Sequence, residues 1–342
     1  MPRPALLLLA AAFSLSLPAG FAQLPPSVDE ESLPLVLDRI IPMPQAEGRI
    51  DHMTVDVLSG RIFAAVYGND SVDVLDVHRS REIHLLQGAL DEPQGVAYLP
   101  AADRVIVSNS ADGACRVFDA RTWQPLGSVK FADDADQLRF DPASGLVYVG
   151  YGDGAIGAFN PLTLQHVSTD FQLPAHPESF QLDPADHRIY VNLASIHKVA
   201  VLHLDTHTID LWTLHDAGEN FPMALDTRTR RLFIAARRPA RFIVLNMDTG
   251  EQIASLPGPM DSDDMAFDSE RHRIYIPSGE GFLFVYQQID ADHYARIAKI
   301  PTPVGARTSA YYGQVGKHNS LYLAVPAQSG RPAEMWVFET RD

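Results

Sequence analysis

"QLDPADHRIYVNL", residues 181–193, is one of seven versions of a single phrase. The others are "VDVLSGRIFAAV" (55–66), "AYLPAADRVIVSN" (97–109), "RFDPASGLVYVGY" (139–151), "ALDTRTRRLFIAA" (224–236), "AFDSERHRIYIPS" (266–278) and "YYGQVGKHNSLYLAV" (311–325). Phe63, Ile106, Tyr148, Tyr190, Phe233, Tyr275 and Tyr322 align, every 42 or 43 residues until the last, which carries a short insertion. Five of the seven place an Asp seven residues earlier, at Asp56, Asp141, Asp183, Asp226 and Asp268. A period of about 40 residues with strand character marks a β-propeller.

The second unit shows the blade. "GVAYL", "RVIVSN", "ACRVFD" and "PLGSVKF" are rich in β-branched and aromatic residues and are separated by turns of Pro, Asp, Gly and Asn. No stretch sustains a helical period. The expectation is an all-β, seven-bladed β-propeller with four-stranded blades. The seventh unit ends after its third strand, "EMWVFETRD" (334–342), so its fourth must come from elsewhere. "LPLVLDRIIPMP" (33–44) resembles the fourth strand of unit six, "YARIAKIPTP", and is predicted to close the ring, hiding two sheet edges.

Residues 1–22 read as a signal peptide: Arg3, an apolar run from Ala5 to Leu17, and the small-residue end Gly20-Phe21-Ala22. The run is short for a membrane span, and nothing later is long enough to be one. The acidic segment 23–32 reads as a flexible leader, and 33–342 as a single propeller domain. The expected location is periplasmic or extracellular, as a monomer. Removing Arg3 leaves 26 basic against 43 acidic residues, a bulk charge that opposes nucleic acid. The lone Cys115 forbids an internal disulfide and aligns with Val72, a buried position.

"RIYVN" (188–192), followed by "VAVLHLDTHTIDL", resembles the YVTN repeat of YncE-like β-propellers, and "NDSVDVLDV" and "RFIVLNMDTGEQIASLPG" fit the same pattern. The resemblance runs from Arg49 to the C-terminus and includes the closing strand. It implies a secreted or periplasmic propeller, and some YncE-like proteins are associated with DNA binding.

In such a fold the residues just before strand one surround the channel mouth. Here they are Asp51 and His52, Gln94, Asp136 and Gln137, Glu178 and Ser179, Phe221 and Pro222 after Asn220, Asp263 and Asp264, and Arg307 and Thr308. The loops between strands two and three share that face and add Tyr151, Arg237 and Arg238, among others. Wet loops are polar anyway. Yet like charges gathered on one axis repel unless a cation or an Arg neutralises them. A divalent cation such as Ca²⁺ on Glu178, Asn220, Asp263 or Asp264 is one expectation. An internal ion network through Arg237, Arg238 and Arg307 is the other.

His52 and His176 fall in mouth loops and are candidate proton-transfer residues or metal ligands. Asp51, Gln94, Asp136, Tyr151, Arg237, Arg238 and Arg307 are candidate ligand-binding residues, since guanidinium matches planar oxyanions. The sequence has no G-x-S-x-G elbow, Walker loop or dinucleotide fingerprint. Three functions remain. The first is binding of a small molecule, peptide or protein loop at the mouth. The second is an enzyme there, a lactone hydrolase or carbohydrate lyase. The third, placed last on charge, is nucleic-acid binding.

Overall fold

The seven phrases each supply the first two strands of a four-stranded antiparallel blade. The computed structural model describes residues 33–342 apart from 168, 316 and 317, with the side chains of Gln314 and His318 also left aside. The expected signal peptide and leader lie outside the described residues. Blade one runs Ile50–Asp56, Arg61–Val66, Ser71–Asp76, Arg81–Leu86, and blade two Pro93–Leu99, Arg104–Asn109, Ala114–Asp119, Pro125–Lys130. Blades four to six begin at Phe180–Asp183, Gly218–Asp226 and Ala266–Asp268 in the same pattern. Blade three departs from it: its fourth strand is split into Gln165–His166 and Phe171–Gln172, both pairing with Ala155–Asn160.

The closing strand is where the sequence put it. Leu35–Met43 pairs antiparallel with Ala333–Thr340, with Ile41 opposite Met335 and Leu35 opposite Thr340. It therefore becomes the outer strand of the blade formed by Thr308–Val315, His318–Val325 and Ala333–Thr340.

Packing between blades follows from strand alternation. The middle strands bury both faces, which is why they read as apolar runs. Tyr322 packs toward blade one with Ile41, Ile62 and Val66, while its neighbours Leu321 and Leu323 pack toward blade six with Leu283 and Val285. Among the described residues the buried side chains form seven clusters, each joining two successive blades, and the cluster containing Tyr322 joins the last blade to the first. Cys115 is buried in the cluster between blades two and three.

The repeat Asp is a turn device. Asp56, Asp141, Asp226 and Asp268 each accept hydrogen bonds from the backbone N–H groups two and three residues on. The residue ending that turn is left-handed: Gly60 and Gly145 fit it without cost, and His187 and His272 occupy it at φ of 50° and 53°.

Candidate functional site

First strands line the axis, so the residues preceding them meet there. Asp51, His52, Gln94, Asp136, Glu178, Arg237, Asp263 and Arg307 line one cavity of about 150 Å³ with Arg49, Gln137, Ser179 and Phe221. The acidic positions are neutralised from within. Asp263 sits between two guanidiniums: Arg307 Nε donates to it at 2.6 Å, and Arg237 Nη2 donates to its other oxygen. Arg237 also donates to the Ser262 carbonyl at 3.1 Å and lies 3.5 Å over the Phe221 ring. On the opposite side Arg49 joins Asp51 at 2.5 Å and donates to Gln94 at 2.6 Å. Burial, with help from Asp136 and Asp263, lifts the Asp51 pKa to about 6 against the pull of His52 and Arg49.

His52 forms the floor. Its Nδ1 meets Asp264 of blade six at 3.1 Å, and its Nε2 meets the Gln137 amide of blade three at 3.0 Å. The chain of three spans the axis, with Asp264 also accepting from the Ser309 N–H at 2.9 Å. Burial pulls the His52 pKa down, but Asp264 and Asp51 together outweigh it and hold the ring up at about 10. The Gln137 amide opposes them, because a protonated ring has no lone pair for its N–H.

His176 borders the mouth at blade four. Its Nδ1 donates to the Gly152 carbonyl at 2.7 Å, which fixes the proton there and leaves Nε2 toward Asp136 at 3.8 Å. Asp136, His176 and Glu178 each bring one ligand atom within 4.8 Å of the others. Asp136 Oδ1 is buried with no hydrogen-bond partner. Burial, then Asp136, lifts Glu178 to about 7, and the same carboxylates lift His176 to about 9 despite burial.

Three predicted residues are not brought to the mouth. Asn220 is 0% exposed; its amide donates to Asn192 at 2.8 Å and to the Lys198 carbonyl at 3.0 Å, tying strands within the sheet layer. Tyr151 turns outward and donates to Asp170 at 2.5 Å, under the split strand of blade three. The Arg238 side chain is 81% exposed and meets Glu219 at 3.3 Å. Loops between strands two and three stand farther from the axis, and of the three candidates on them only Arg237 reaches in. The expected metal set is therefore divided: Asn220 is in the sheet, Asp263 is held by arginines, and Asp264 by His52. Arg49 was missed, although it stands two residues before Asp51, just ahead of the strand Ile50–Asp56.

Below His52 the channel opens into a chamber of about 610 Å³ lined by the first strands. Among the described residues no helix is long and apolar enough to cross a membrane.

No family model and no curated protein match the sequence. Solved structures do match its fold. Hydrazine synthase of Kuenenia stuttgartiensis aligns with a TM-score of 0.72 at 14% identity, over 86% of this chain and 97% of that one. The WD40 repeats of RRP9 align with a TM-score of 0.74 at 12% identity, over 89% and 97%. At such identities the likeness concerns the β-propeller scaffold alone.

Proposed function

We propose that this chain is an exported, YncE-like binding propeller whose channel mouth holds a divalent cation and, through it, a small anionic ligand. The observation that carries this reading is the triad of Asp136, His176 and Glu178, with one carboxylate oxygen unpartnered and one imidazole nitrogen left facing inward. Three protein ligands leave positions open for water or a ligand. An imidazole in the set suits Mn²⁺ or Zn²⁺ better than Ca²⁺, which prefers oxygen alone. The cation offsets both the burial of Glu178 and its repulsion with Asp136, which together raise the Glu178 pKa. Arg49, Arg237 and Arg307 around the same cavity give an anionic ligand its second contacts.

The enzyme reading has one observation in its favour. In the cation-free mouth burial, then Asp136, lifts Glu178 to about 7, which suits it to the proton transfer that lactone hydrolysis or a lyase reaction requires. The acidic balance disfavours nucleic acid as a partner.

The test is thermal unfolding of chelator-treated protein with added Mn²⁺, Zn²⁺ or Ca²⁺. At a hundredfold excess over its dissociation constant a bound ion stabilises by about 2.7 kcal/mol. Asp136→Asn and Glu178→Gln should remove that gain while leaving the metal-free protein folded. No stabilisation of the parent by any of the three ions, or an undiminished gain in both variants, would sink the reading.

A further inference from the structure

The seven-fold repeat puts one residue of each first strand at the same height on the axis. These residues pair with the seven aligned core positions: Thr54 with Phe63, Ala97 with Ile106, Arg139 with Tyr148, Gln181 with Tyr190, Ala224 with Phe233, Ala266 with Tyr275, and Ala310 with Tyr322. Four of the seven are Ala, which is why the channel widens below His52 to about 610 Å³. That volume falls within the range of small-molecule pockets, roughly 300–1,000 Å³.

Arg139 is the one cation in this ring, and it is not neutralised. Its Nη1 donates to the Leu138 carbonyl at 3.0 Å and its Nη2 to Gln137 Oε1 at 3.0 Å. Among the described residues it makes no ion pair with a carboxylate. Asp264, the acid at the top of the chamber, is taken by His52 and the Ser309 N–H. Three of the five guanidinium N–H groups remain to be satisfied. Burial pulls the Arg139 pKa below its ordinary value, although Tyr312, Asp264 and Asp136 act in the other direction.

A second polar group in the same chamber also lacks a partner. Ser309 is 8% exposed, and its hydroxyl has no hydrogen bond. Beside it the Tyr312 hydroxyl meets Thr54 Oγ1 at 3.1 Å. The remaining wall includes Phe140, Leu182, Leu225 and Phe267. The chamber thus has a cationic and hydroxylic head and an apolar body.

We propose that this lower chamber is a second binding site, which takes a small amphipathic monocarboxylate. The carboxylate lies against the free edge of the Arg139 guanidinium, and the apolar part runs down the alanine ring toward the face opposite the mouth. The planar fork of Arg139 recognises a carboxylate by two parallel hydrogen bonds. The site needs no metal and is separated from the mouth by the His52 bridge.

Calorimetric titration of the full chain in chelator tests it, with hexanoate, benzoate and phenylacetate as probes. Acetate and the primary amides of the three acids are the controls. The three acids should bind, with acetate and the amides at least about tenfold weaker, the loss expected when a charge-assisted contact or the apolar body is removed. Arg139→Met keeps the stem and should weaken the acids about tenfold or more. Ala224→Leu, which narrows the ring on another blade, should do the same if Arg139→Met fails to fold. No binding of the acids by the parent, equal binding of the amides, or undiminished binding in Arg139→Met or Ala224→Leu would each overturn the proposal.

Discussion

Arg307 Nε donates to Asp263 at 2.6 Å across the join between blades six and seven, so two of the three carboxylates of "DSDD" (261–264) are answered by arginines from neighbouring blades. Asp261 takes the other end of Arg307 at 3.1 Å, and Asp264 is turned down to His52. Asp263→Asn leaves two partly buried guanidiniums short of a counter-charge. Stability should fall by about 1–3 kcal/mol. The loss should be the same with and without chelator, because Asp263 is outside the proposed cation triad. Thermal melts of parent and variant under both conditions check this, and a variant that no longer responds to chelator would move Asp263 into the metal site.

Deleting residues 33–44 should open the ring. Leu35, Ile41 and Met43 are each fully buried in the last blade. At about 1.5–3 kcal/mol for each large apolar side chain, their loss approaches the whole stability of a typical domain. The freed edge of Ala333–Thr340 then invites pairing between chains. Gel filtration should show aggregation, with a lowered melting temperature. A monomeric truncation melting with the parent would refute closure by this strand.

Asp73 carries a pH dependence of opposite sense to an ordinary salt-bridged acid. It is fully buried in Ser71–Asp76, bonded by the Ser71 hydroxyl at 3.1 Å, and its Oδ2 has no partner. Burial, then the Glu82 charge, raises its pKa to about 7. The folded state therefore holds this proton more tightly than the unfolded chain. Stability is lost as pH rises from about 4 through 7 and is level above that. Asp73→Asn should stabilise the protein at pH 8 by about 1–3 kcal/mol, and the gain should vanish by about pH 4. Denaturant melts at the two pH values measure it, and a variant less stable at pH 8 would contradict the assignment.

Cys115 should stay unreactive in the folded protein. It faces the core between blades two and three, and burial pushes its thiol pKa well above the usual range. A thiol reagent should label it only in denaturant, whereas rapid stoichiometric labelling of native protein would contradict its burial.

The fold was legible because its causes are local and periodic. The Asp turn, written in five of the seven units, and the alternation that buries Tyr190 on one face and Ile189 on the other are each set within a dozen residues of sequence. Even the missing fourth strand of the last unit could be traced to 33–44 by its likeness to 294–303. The candidate site was legible only as a height on the axis. Asp51, His52, Gln94, Asp136, Glu178, Asp263 and Arg307 share that height, and they do meet. The direction in which each neighbouring side chain turns was not legible. Asn220, Tyr151 and Arg238 carry polar groups of the right kind, but a sheet partner, a split strand and an exposed loop tip hold them away. Nor does the sequence show what meets across the axis. His52 finds Asp264 212 positions away and Gln137 85 positions away. Among the described residues Arg139 forms no ion pair with a carboxylate. Sequence patterning sets which residues face the core, since periodicity is a property of neighbours along the chain. Ring closure decides which charges are paired, because it brings blades one, three and six to a common centre that no single repeat contains.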